Sequence, residues 1–322
     1  MDKIAVIINA SAGLGYSADL TAQLQASFGA CGLAPSITLA DSGEEMIATA
    51  RQALADGADM IVAGGGDGTV NAVASVVAGS GVRFGVLPLG TLNHFAKDLN
   101  IPLVLDEAVA NLAHGVAMRV DVGEVNGRIF LNNSSLGLYP AVVRDRDQQQ
   151  RRQGRSKWVA FSWAAIAALR RYPFLNVHLR INGEEHARRT PFVFIGNNEY
   201  IMQGLNMGGR ERLDGGVLSL YVAQRPTRLG LLRLAFHALR GSLAEARDFD
   251  VLTATSMEID TRHPRLHVAT DGEVTLMQTP LSYRLRPAAL TVMVPAPVAA
   301  QPASTELTLD TASNAADSDQ AD

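Results

Sequence analysis

The sequence predicts an α/β domain with a parallel sheet, followed by a domain that is mainly an antiparallel β-sandwich. Its 322 residues are enough for about two domains. Strand-like and helix-like runs alternate in the first part of the chain, which is typical of a parallel sheet covered by helices. Later runs alternate apolar and polar residues and are joined by Asn-Gly or Asp-Gly pairs, which favour β-hairpins. We therefore expect a first domain over residues 1–118 and a second over 119–295.

Composition and charge exclude several classes of protein. Apolar residues make up 47% and charged residues 19% of the chain, an ordinary globular balance. The net charge of -4 provides no overall positive field, so nucleic acid is not expected as a partner. The single cysteine, Cys31, cannot form an internal disulfide, and the chain suits a reducing compartment such as the cytoplasm. The longest nearly apolar stretch, 158–169, is shorter than the roughly 20 residues that a membrane-spanning helix needs.

Four strands and four helices are predicted in the first domain, in alternation. The strands are Lys3–Asn9, Pro35–Leu39, Met60–Ala63 and Phe84–Leu87. The helices are Ala18–Phe28, Glu44–Leu54, Val70–Val77 and Leu105–Leu112. Asp106 and Glu107 fall in the first turn of the last helix, where negative charge is favourable.

Three dipeptides predict tight hairpin turns in the second domain: Asn126-Gly127, Asn182-Gly183 and Asp271-Gly272. The strands around them are predicted at Ile129–Asn132, Val177–Ile181, Phe192–Ile195, Leu218–Val222 and Met257–Ile259. Helices are predicted at about 156–171 and 227–246. The last strand of the second domain can return to the first domain. Residues 296–322 carry acidic side chains and no Lys or Arg, which predicts a disordered tail.

A glycine-rich loop follows the third predicted strand, with the sequence Gly64-Gly65-Gly66-Asp67-Gly68-Thr69-Val70-Asn71. Glycines allow backbone N–H groups to approach a ligand closely, and a helix start adds its positive end, so the loop predicts a phosphate site. A carboxylate at Asp67 would repel a bare phosphate. It makes sense beside a bridging Mg²⁺ or as an acceptor for a hydroxyl. The alternative is a plain strand-to-helix turn with Asp67 as a cap.

A second loop, Leu87-Pro88-Leu89-Gly90-Thr91-Leu92-Asn93, follows the next strand and predicts a second wall of the same site. The segment after the first strand, from Asn9 to Ala18, contains G-x-G-x-x-A but departs from a dinucleotide fingerprint. Its first glycine comes four residues after Asn9, and its nearest acid, Asp41, lies 28 residues past Gly13 where about 20 are expected. The chain also lacks G-x-x-x-x-G-K-[ST], so it is not a P-loop NTPase.

These loops resemble the catalytic domain of the diacylglycerol kinase and sphingosine kinase family, and more narrowly the soluble bacterial lipid kinases. The resemblance rests on Gly65–Asn71, on the Pro88–Ala96 segment at its spacing, on 119–137 and on Asp271-Gly272-Glu273. It extends from about residue 3 to 295 and implies an ATP-dependent kinase.

The resemblance implies a role for each matching residue. ATP would be bound by these residues: Asn9, Thr38, Gly65, Gly66, Asp67, Gly68, Thr69, Asn71, Gly90, Thr91 and Asn93. Asp67 would lie near the phosphates or their Mg²⁺ and act in catalysis. Glu273 would be the general base, assisted by Asp121, since phosphoryl transfer needs a carboxylate near the attacking hydroxyl. Without the resemblance, Asp271-Gly272 is a hairpin turn, and Glu273 and Asp121 are solvated strand residues.

Two positions depart from the family pattern. His94 stands where the family often has Asp in Asn-Asp-Phe. Gly215 stands at the ligand position of a second, structural Mg²⁺, which leaves only Asp214, one residue away, as a candidate ligand.

A basic and aromatic segment predicts peripheral contact with a membrane. Residues 144–171 carry a local charge of +6 and hold both tryptophans of the chain. The residues expected at the lipid surface are Arg151, Arg152, Arg155, Lys157, Trp158 and Trp163. Such a pattern suits an interfacial anchor on anionic lipid. One alternative is a solvated loop followed by a core helix, and another is nucleic-acid contact, which the acidic remainder of the chain disfavours.

Together these features predict a cytoplasmic lipid kinase, peripheral at the inner face of the cell membrane and acting in phospholipid biosynthesis. It would transfer the γ-phosphate of ATP to a hydroxyl of a diacylglycerol-like lipid. Two alternatives stay open. One is a kinase of a soluble metabolite, similar to NAD kinases, and the other is a regulator that binds nucleotide or lipid without turnover.

Overall fold

The computed structural model describes residues 2–10, 18–137, 174–203, 206–223 and 249–297. The predicted helices at 156–171 and 227–246 lie outside these ranges, as does the tail from residue 298.

The first part of the chain alternates strands and helices, as expected. Its strands are β1 (Ile4–Asn9), β2 (Ser36–Ala40), β3 (Met60–Gly65) and β4 (Arg83–Pro88). Its helices are α1 (Ala18–Ala30), α2 (Gly43–Ala55), α3 (Asp67–Val77), α4 (His94–Asp98) and α5 (Leu105–His114). Among the helices in the described ranges, none is both long enough and apolar enough to cross a bilayer.

The four strands form a parallel sheet in the order β2-β1-β3-β4. Every residue of β3 is buried, because helices cover both faces of the sheet. Ile7 packs with residues of α2 and α3 on one face, and Ile8 packs with residues of α1 and α5 on the other. The carboxyl ends of β3 and β4 are in register, with Gly65 opposite Pro88, so the loops that follow leave the sheet side by side.

The rest of the described chain is β-structure. Its strands are β5 (Val116–Val125), β6 (Arg128–Phe130), β7 (Asn133–Gly137), β8 (Leu175–Ile181), β9 (Glu184–Thr190), β10 (Phe192–Asn197), β11 (Tyr200–Gln203), β12 (Asn206–Arg210), β13 (Leu218–Ala223), β14 (Phe249–Ala254), β15 (Ser256–Thr261), β16 (Arg265–Thr270), β17 (Glu273–Gln278) and β18 (Leu281–Val294). A six-stranded antiparallel sheet has the order β14-β13-β10-β7-β16-β17. Its inner face packs on β8, β15 and β18 through one apolar cluster that includes Leu136, Ile195, Ile259 and Tyr283.

The long strand β18 joins the two halves of the molecule. It pairs in parallel with β4 and antiparallel with β5 and β15, so the first sheet continues into the second domain. A bulge between Arg286 and Leu290 interrupts its pairing, and Ala288 in this bulge has a left-handed φ of 49°. The two domains therefore share a sheet, which holds the loops of the first against the turns of the second.

The predicted fold class is confirmed: an α/β domain with a mostly parallel sheet precedes an antiparallel sandwich. Each of the three predicted dipeptides is a hairpin turn with positive φ at both residues, for example 48° at Asp271 and 86° at Gly272. One predicted strand is shorter than expected. β6 ends at Phe130, because the backbone N–H groups of Leu131 and Asn132 turn away to bind the Asp271 carboxylate.

Candidate active site

The two glycine loops meet at the carboxyl edge of the parallel sheet. The N–H of Leu89 donates to the carbonyl of Gly65 at 3.0 Å, which fastens the second loop to the first. Gly66 caps the amino terminus of α3 with its backbone alone, since no side chain caps this helix. The first N–H groups of α3 are thus left at the open end of the loop, where they favour an anion.

Glycine is required at Gly65 and Gly90, because a Cβ at either position would overlap neighbouring atoms. A Cβ at Gly66 would lie 3.5 Å from the Cα of Gly90, and a Cβ at Gly90 would collide with the Cα of Gly66. A Cβ at Gly65 would lie 2.5 Å from the Oγ1 of Thr69. The predicted pairing of the two loops is therefore present as a direct backbone contact.

Asp67 is the first residue of α3 and is half-buried. Its Oδ1 accepts the N–H of Phe95 at 3.2 Å, so it ties the start of α3 to the start of α4. The alternative prediction that Asp67 caps α3 is wrong, because Gly66 is the cap, but Asp67 has a structural contact with α4. A carboxylate at a helix start beside a phosphate loop can also serve a metal ion that the phosphates carry.

Other predicted ATP ligands turn inward and shape the loops. Asn9 donates to the Oγ1 of the buried Thr69 at 3.1 Å. The buried Asn93 has a left-handed φ of 50° and braces its own loop, since it accepts from the N–H of Gly90 and donates to the carbonyls of Pro88 and Gly90. These side chains hold the backbone in place.

The remaining predicted nucleotide ligands differ in exposure. Gly68 and Thr91 are exposed at the mouth of the loops, as is His94. Thr38 lies on β2 opposite Ile7, two residues before that strand ends. Binding of ATP by any of these residues stays a prediction.

Asp271 is the site residue that the sequence interpretation missed. Its Oδ2 accepts the N–H of Leu131 at 2.7 Å, and its Oδ1 accepts the N–H groups of Asn132 at 2.8 Å and Asn133 at 3.0 Å. The side-chain amide of Asn71 on α3 donates to the same carboxylate. Asp271 therefore joins the turn between β16 and β17 to the helix that carries the first glycine loop.

Two opposing effects act on the Asp271 carboxylate. Burial raises its pKa, and the three backbone N–H groups together with Asn71 lower it, with burial the larger effect. The signal for this residue was present in the sequence, in the first position of Asp-Gly-Glu. The hairpin turn by itself explains the Asp-Gly pair, so the sequence provided no separate reason to expect that the Asp271 carboxylate contacts α3.

Glu273, the predicted base, lies on the strand that follows the same turn. Its side chain is 72% exposed and pairs with Arg128 at 2.7 Å. Its base role stays a prediction, and the described contacts place the neighbouring Asp271, not Glu273, against α3.

Asp121, the predicted assistant of the base, is buried and holds backbone. Its Oδ2 accepts the N–H of Gly216 at 2.8 Å, and its Oδ1 accepts the N–H of Ala288 at 2.8 Å. These contacts fix the loop before β13 and the bulge of β18. Both oxygens are thus used in contacts that support the fold, and a role in the reaction stays a prediction.

The residues around Asp214 do not fit the structural magnesium of the resemblance. The Asp214 carboxylate pairs with Arg212 at 3.0 Å, and hydrogen bonding to this guanidinium lowers the Asp214 pKa. Gly215 offers no side chain, and a Cβ there would lie 2.8 Å from the Oδ1 of Asn198. Within the described ranges, no group of three or more His, Cys, Asp or Glu side chains could hold a metal ion. The magnesium that accompanies ATP needs fewer protein ligands than a structural metal site, because phosphates and water supply most of its ligands.

The residues predicted for membrane contact lie outside the described ranges. They are Arg151, Arg152, Arg155, Lys157, Trp158 and Trp163.

Comparison with known proteins agrees with this architecture. The family model described as "Diacylglycerol kinase catalytic domain" matches residues 3–125, and "YegS C-terminal NAD kinase beta sandwich-like domain" matches residues 135–294. A solved diacylglycerol kinase structure from Bacillus anthracis has the same fold, with a TM-score of 0.66 and 21% identity, over 91% of this chain and 97% of that one.

Sequence relatives point to the same class. "Probable lipid kinase YegS-like" of Pseudomonas aeruginosa is 30% identical over 76% of this chain and 80% of its own length. "Diacylglycerol kinase" of Mycobacterium tuberculosis is 28% identical over 76% of this chain and 79% of its own. The match to an uncharacterized protein of Synechocystis, at 24% identity, spans 80% of this chain and 61% of that protein.

This α/β domain, joined to this sandwich and matched by both family models, defines a phosphotransferase of the diacylglycerol kinase type. Within that class, the chain belongs to the family of YegS-like lipid kinases.

The contact between Gly66 and Gly90 generates a prediction for nucleotide binding. Gly90→Ala forces the two loops apart, because the neighbouring backbone of Gly66 cannot move aside as a flexible side chain would. We expect the Kd for MgATP, measured by calorimetry, to rise roughly 10-fold or more. Gly43→Ala is the control, because a Cβ there meets nothing within 4 Å. Unchanged ATP affinity in a folded Gly90→Ala protein would contradict the role of the contact.

Proposed function

We propose that this protein transfers the γ-phosphate of ATP, bound as its magnesium complex, to a hydroxyl of a diacylglycerol-like lipid at the inner face of the cytoplasmic membrane. The observation that carries the proposal is the contact between the helix that follows the first glycine loop and the Asp271 turn of the second domain. The paired glycine loops lie at the start of α3, and Asn71, one turn along that helix, contacts the Asp271 carboxylate of the other domain. The predicted phosphate site and a carboxylate of the second domain therefore meet at the same helix.

The loops supply what the phosphate chain of ATP requires. Backbone N–H groups at the start of α3 face the place where the phosphates would lie, and the helix end adds partial positive charge. Asp67 would be the protein ligand nearest the magnesium that ATP brings. This ion would neutralise negative charge on the phosphates. Such an arrangement contributes to the reaction mainly by positioning and electrostatics.

The acceptor side needs a base for the attacking hydroxyl. Two carboxylates of the turn between β16 and β17 are candidates, Asp271 and Glu273. The Asp271 carboxylate contacts α3 through Asn71 and has a pKa raised by burial, which brings a carboxylate closer to the range of an effective general base. Glu273 is exposed and paired with Arg128, so it would have to leave that partner to reach an acceptor.

The reaction class can be tested directly. Labelled γ-phosphate from ATP would be followed into diacylglycerol, monoacylglycerol, ceramide, sphingoid base and polyprenol in mixed micelles, with Asp67→Ala as the blank. Label in diacylglycerol is the expected result. Label only in soluble acceptors would favour the metabolite kinase, and ATP binding without turnover on any acceptor would favour the regulator.

A pair of variants assigns the base. We expect Asp271→Asn to lower kcat by roughly 10²- to 10⁴-fold and Glu273→Gln to keep most of it, because only Asp271 faces α3. The acid side of the kcat/KM profile should have its midpoint above the ordinary Asp value of 3.8, since burial raises the Asp271 pKa and the base must be ionised. Glu273→Gln should keep this midpoint.

Circular dichroism and thermal unfolding would show that both variants are folded. The opposite pattern, with activity lost in Glu273→Gln and kept in Asp271→Asn, would give the base role to Glu273.

Membrane contact belongs to the same proposal, because a diacylglycerol-like acceptor resides in a bilayer. Charge reversal at Arg151, Arg152 and Arg155 should weaken co-sedimentation with anionic vesicles and leave that with neutral vesicles little changed. An equal loss on both kinds of vesicle would show damage to the fold, and no loss on either would remove these residues from the membrane surface.

A further inference from the structure

Arg210, at the end of β12, is a buried charge for which the sequence interpretation gave no role. Its side chain is 0% exposed. Its Nε donates to Asp98 at 2.8 Å, its Nη1 to the carbonyls of Leu131 at 2.6 Å and Asn197 at 3.1 Å, and its Nη2 to the Oδ1 of Asn132 at 2.7 Å. The guanidinium also lies 5.5 Å from the centre of the Tyr200 ring. Burying a cation is costly unless it is paired and hydrogen-bonded, and Arg210 meets both conditions.

One side of the guanidinium contacts the nucleotide domain. Asp98 is the last residue of α4, the short helix that follows the second glycine loop. The first turn of the same helix donates to Asp67 through the N–H of Phe95. The pair between Asp98 and Arg210 therefore links the second domain to the helix that Asp67 holds.

The other side of the guanidinium contacts the segment that holds Asp271. The carbonyl of Leu131, which accepts from Arg210, and the N–H of Asn132, which donates to Asp271, belong to the same peptide group. A cation at the carbonyl polarises that group and strengthens its N–H as a donor. The Asn132 side chain accepts a second hydrogen bond from Arg210, so Arg210 binds the segment at two points.

We propose that Arg210 is a positioning residue for phosphoryl transfer, which sets the place of Asp271 through the peptide group between Leu131 and Asn132. The inference rests on the proposed function, in which Asp271 acts on the acceptor hydroxyl. Arg210 itself touches neither the nucleotide nor the acceptor site in this arrangement. It acts by fixing the donors of the carboxylate relative to α4 and the glycine loops.

The geometry requires arginine. Four bonds leave the planar guanidinium toward a carboxylate, two carbonyls and an amide, in directions that a lysine ammonium with a single nitrogen cannot reproduce. Arg210→Lys keeps the positive charge beside Asp98 and loses most of the four hydrogen bonds of the guanidinium. It is therefore the variant that separates positioning from charge.

The test compares Arg210→Lys with Arg212→Lys as the matched control. Arg212 lies two residues further along the chain, just after β12, is exposed, and pairs with Asp214 outside the Asp271 cluster. Hydrogen–deuterium exchange of a peptide that covers 131–133 reports the donors of Asp271 without any need for activity. Steady-state kinetics with ATP and diacylglycerol report kcat and KM separately.

We expect Arg210→Lys to exchange the amides of 131–133 faster than the wild type and to lose roughly 10²-fold in kcat. The KM for ATP should change little, because the glycine loops keep their own contact and the brace of Asn93. Asn132→Ala, which removes one acceptor of Arg210 and keeps the backbone N–H, should show the same changes to a smaller extent. Arg212→Lys should match the wild type.

Wild-type exchange at 131–133 in a folded Arg210→Lys protein would overturn the proposal. So would a parallel change of kcat, KM for ATP and thermal midpoint, since that is the result of a purely structural role. If the wild type phosphorylates no lipid while Arg210→Lys still speeds exchange at 131–133, the link from Arg210 to Asp271 is supported and the proposed function is the part that fails.

Discussion

The approach of two backbones at Gly66 and Gly90 is the constraint on which the rest of the site depends. β3 and β4 are parallel neighbours, so the loops that follow them start side by side. Because Gly90 carries no Cβ, its loop packs directly against the backbone of Gly66. Asn93 then fixes the second loop by three hydrogen bonds to its own backbone. A surface of N–H groups results, at the end of a helix whose dipole favours anions.

Buried polar groups connect this surface to the second domain. Apolar packing stabilises both domains but is non-directional, so it does not by itself fix one domain against the other to a fraction of an ångström. Hydrogen bonds to charged groups are directional, and they are costly to break when buried. Asp271, Arg210 and Asp121 provide them at three places around the junction. Each has backbone partners, so the charges also fix the course of the chain.

The features that could be predicted from the sequence are those that depend on local conformation. Glycine loops, alternating strands and Asn-Gly turns each follow from residues within a few positions of one another, and the structure contains them close to where they were expected. The bounds of β6 were wrong, because a residue 140 positions away competes for its backbone N–H groups. Arg210 could not be found at all, because its partners come from three separate segments and no spacing in the sequence marks them.

Contacts between residues that are distant in sequence also decide where side chains of the predicted nucleotide site point. Thr69 and Asn93 are polar residues in a phosphate loop, and the resemblance alone suggested that they contact ATP. In the structure Thr69 contacts the Asn9 side chain and Asn93 contacts the backbone of its own loop. Phosphate is recognised equally well by N–H groups, so the loop needs its side chains more for shape than for contact. The nucleotide half of the site is therefore a property of local sequence. The position of the Asp271 carboxylate against this loop is a property of the whole fold, since it depends on a guanidinium and a shared strand that come from distant parts of the chain.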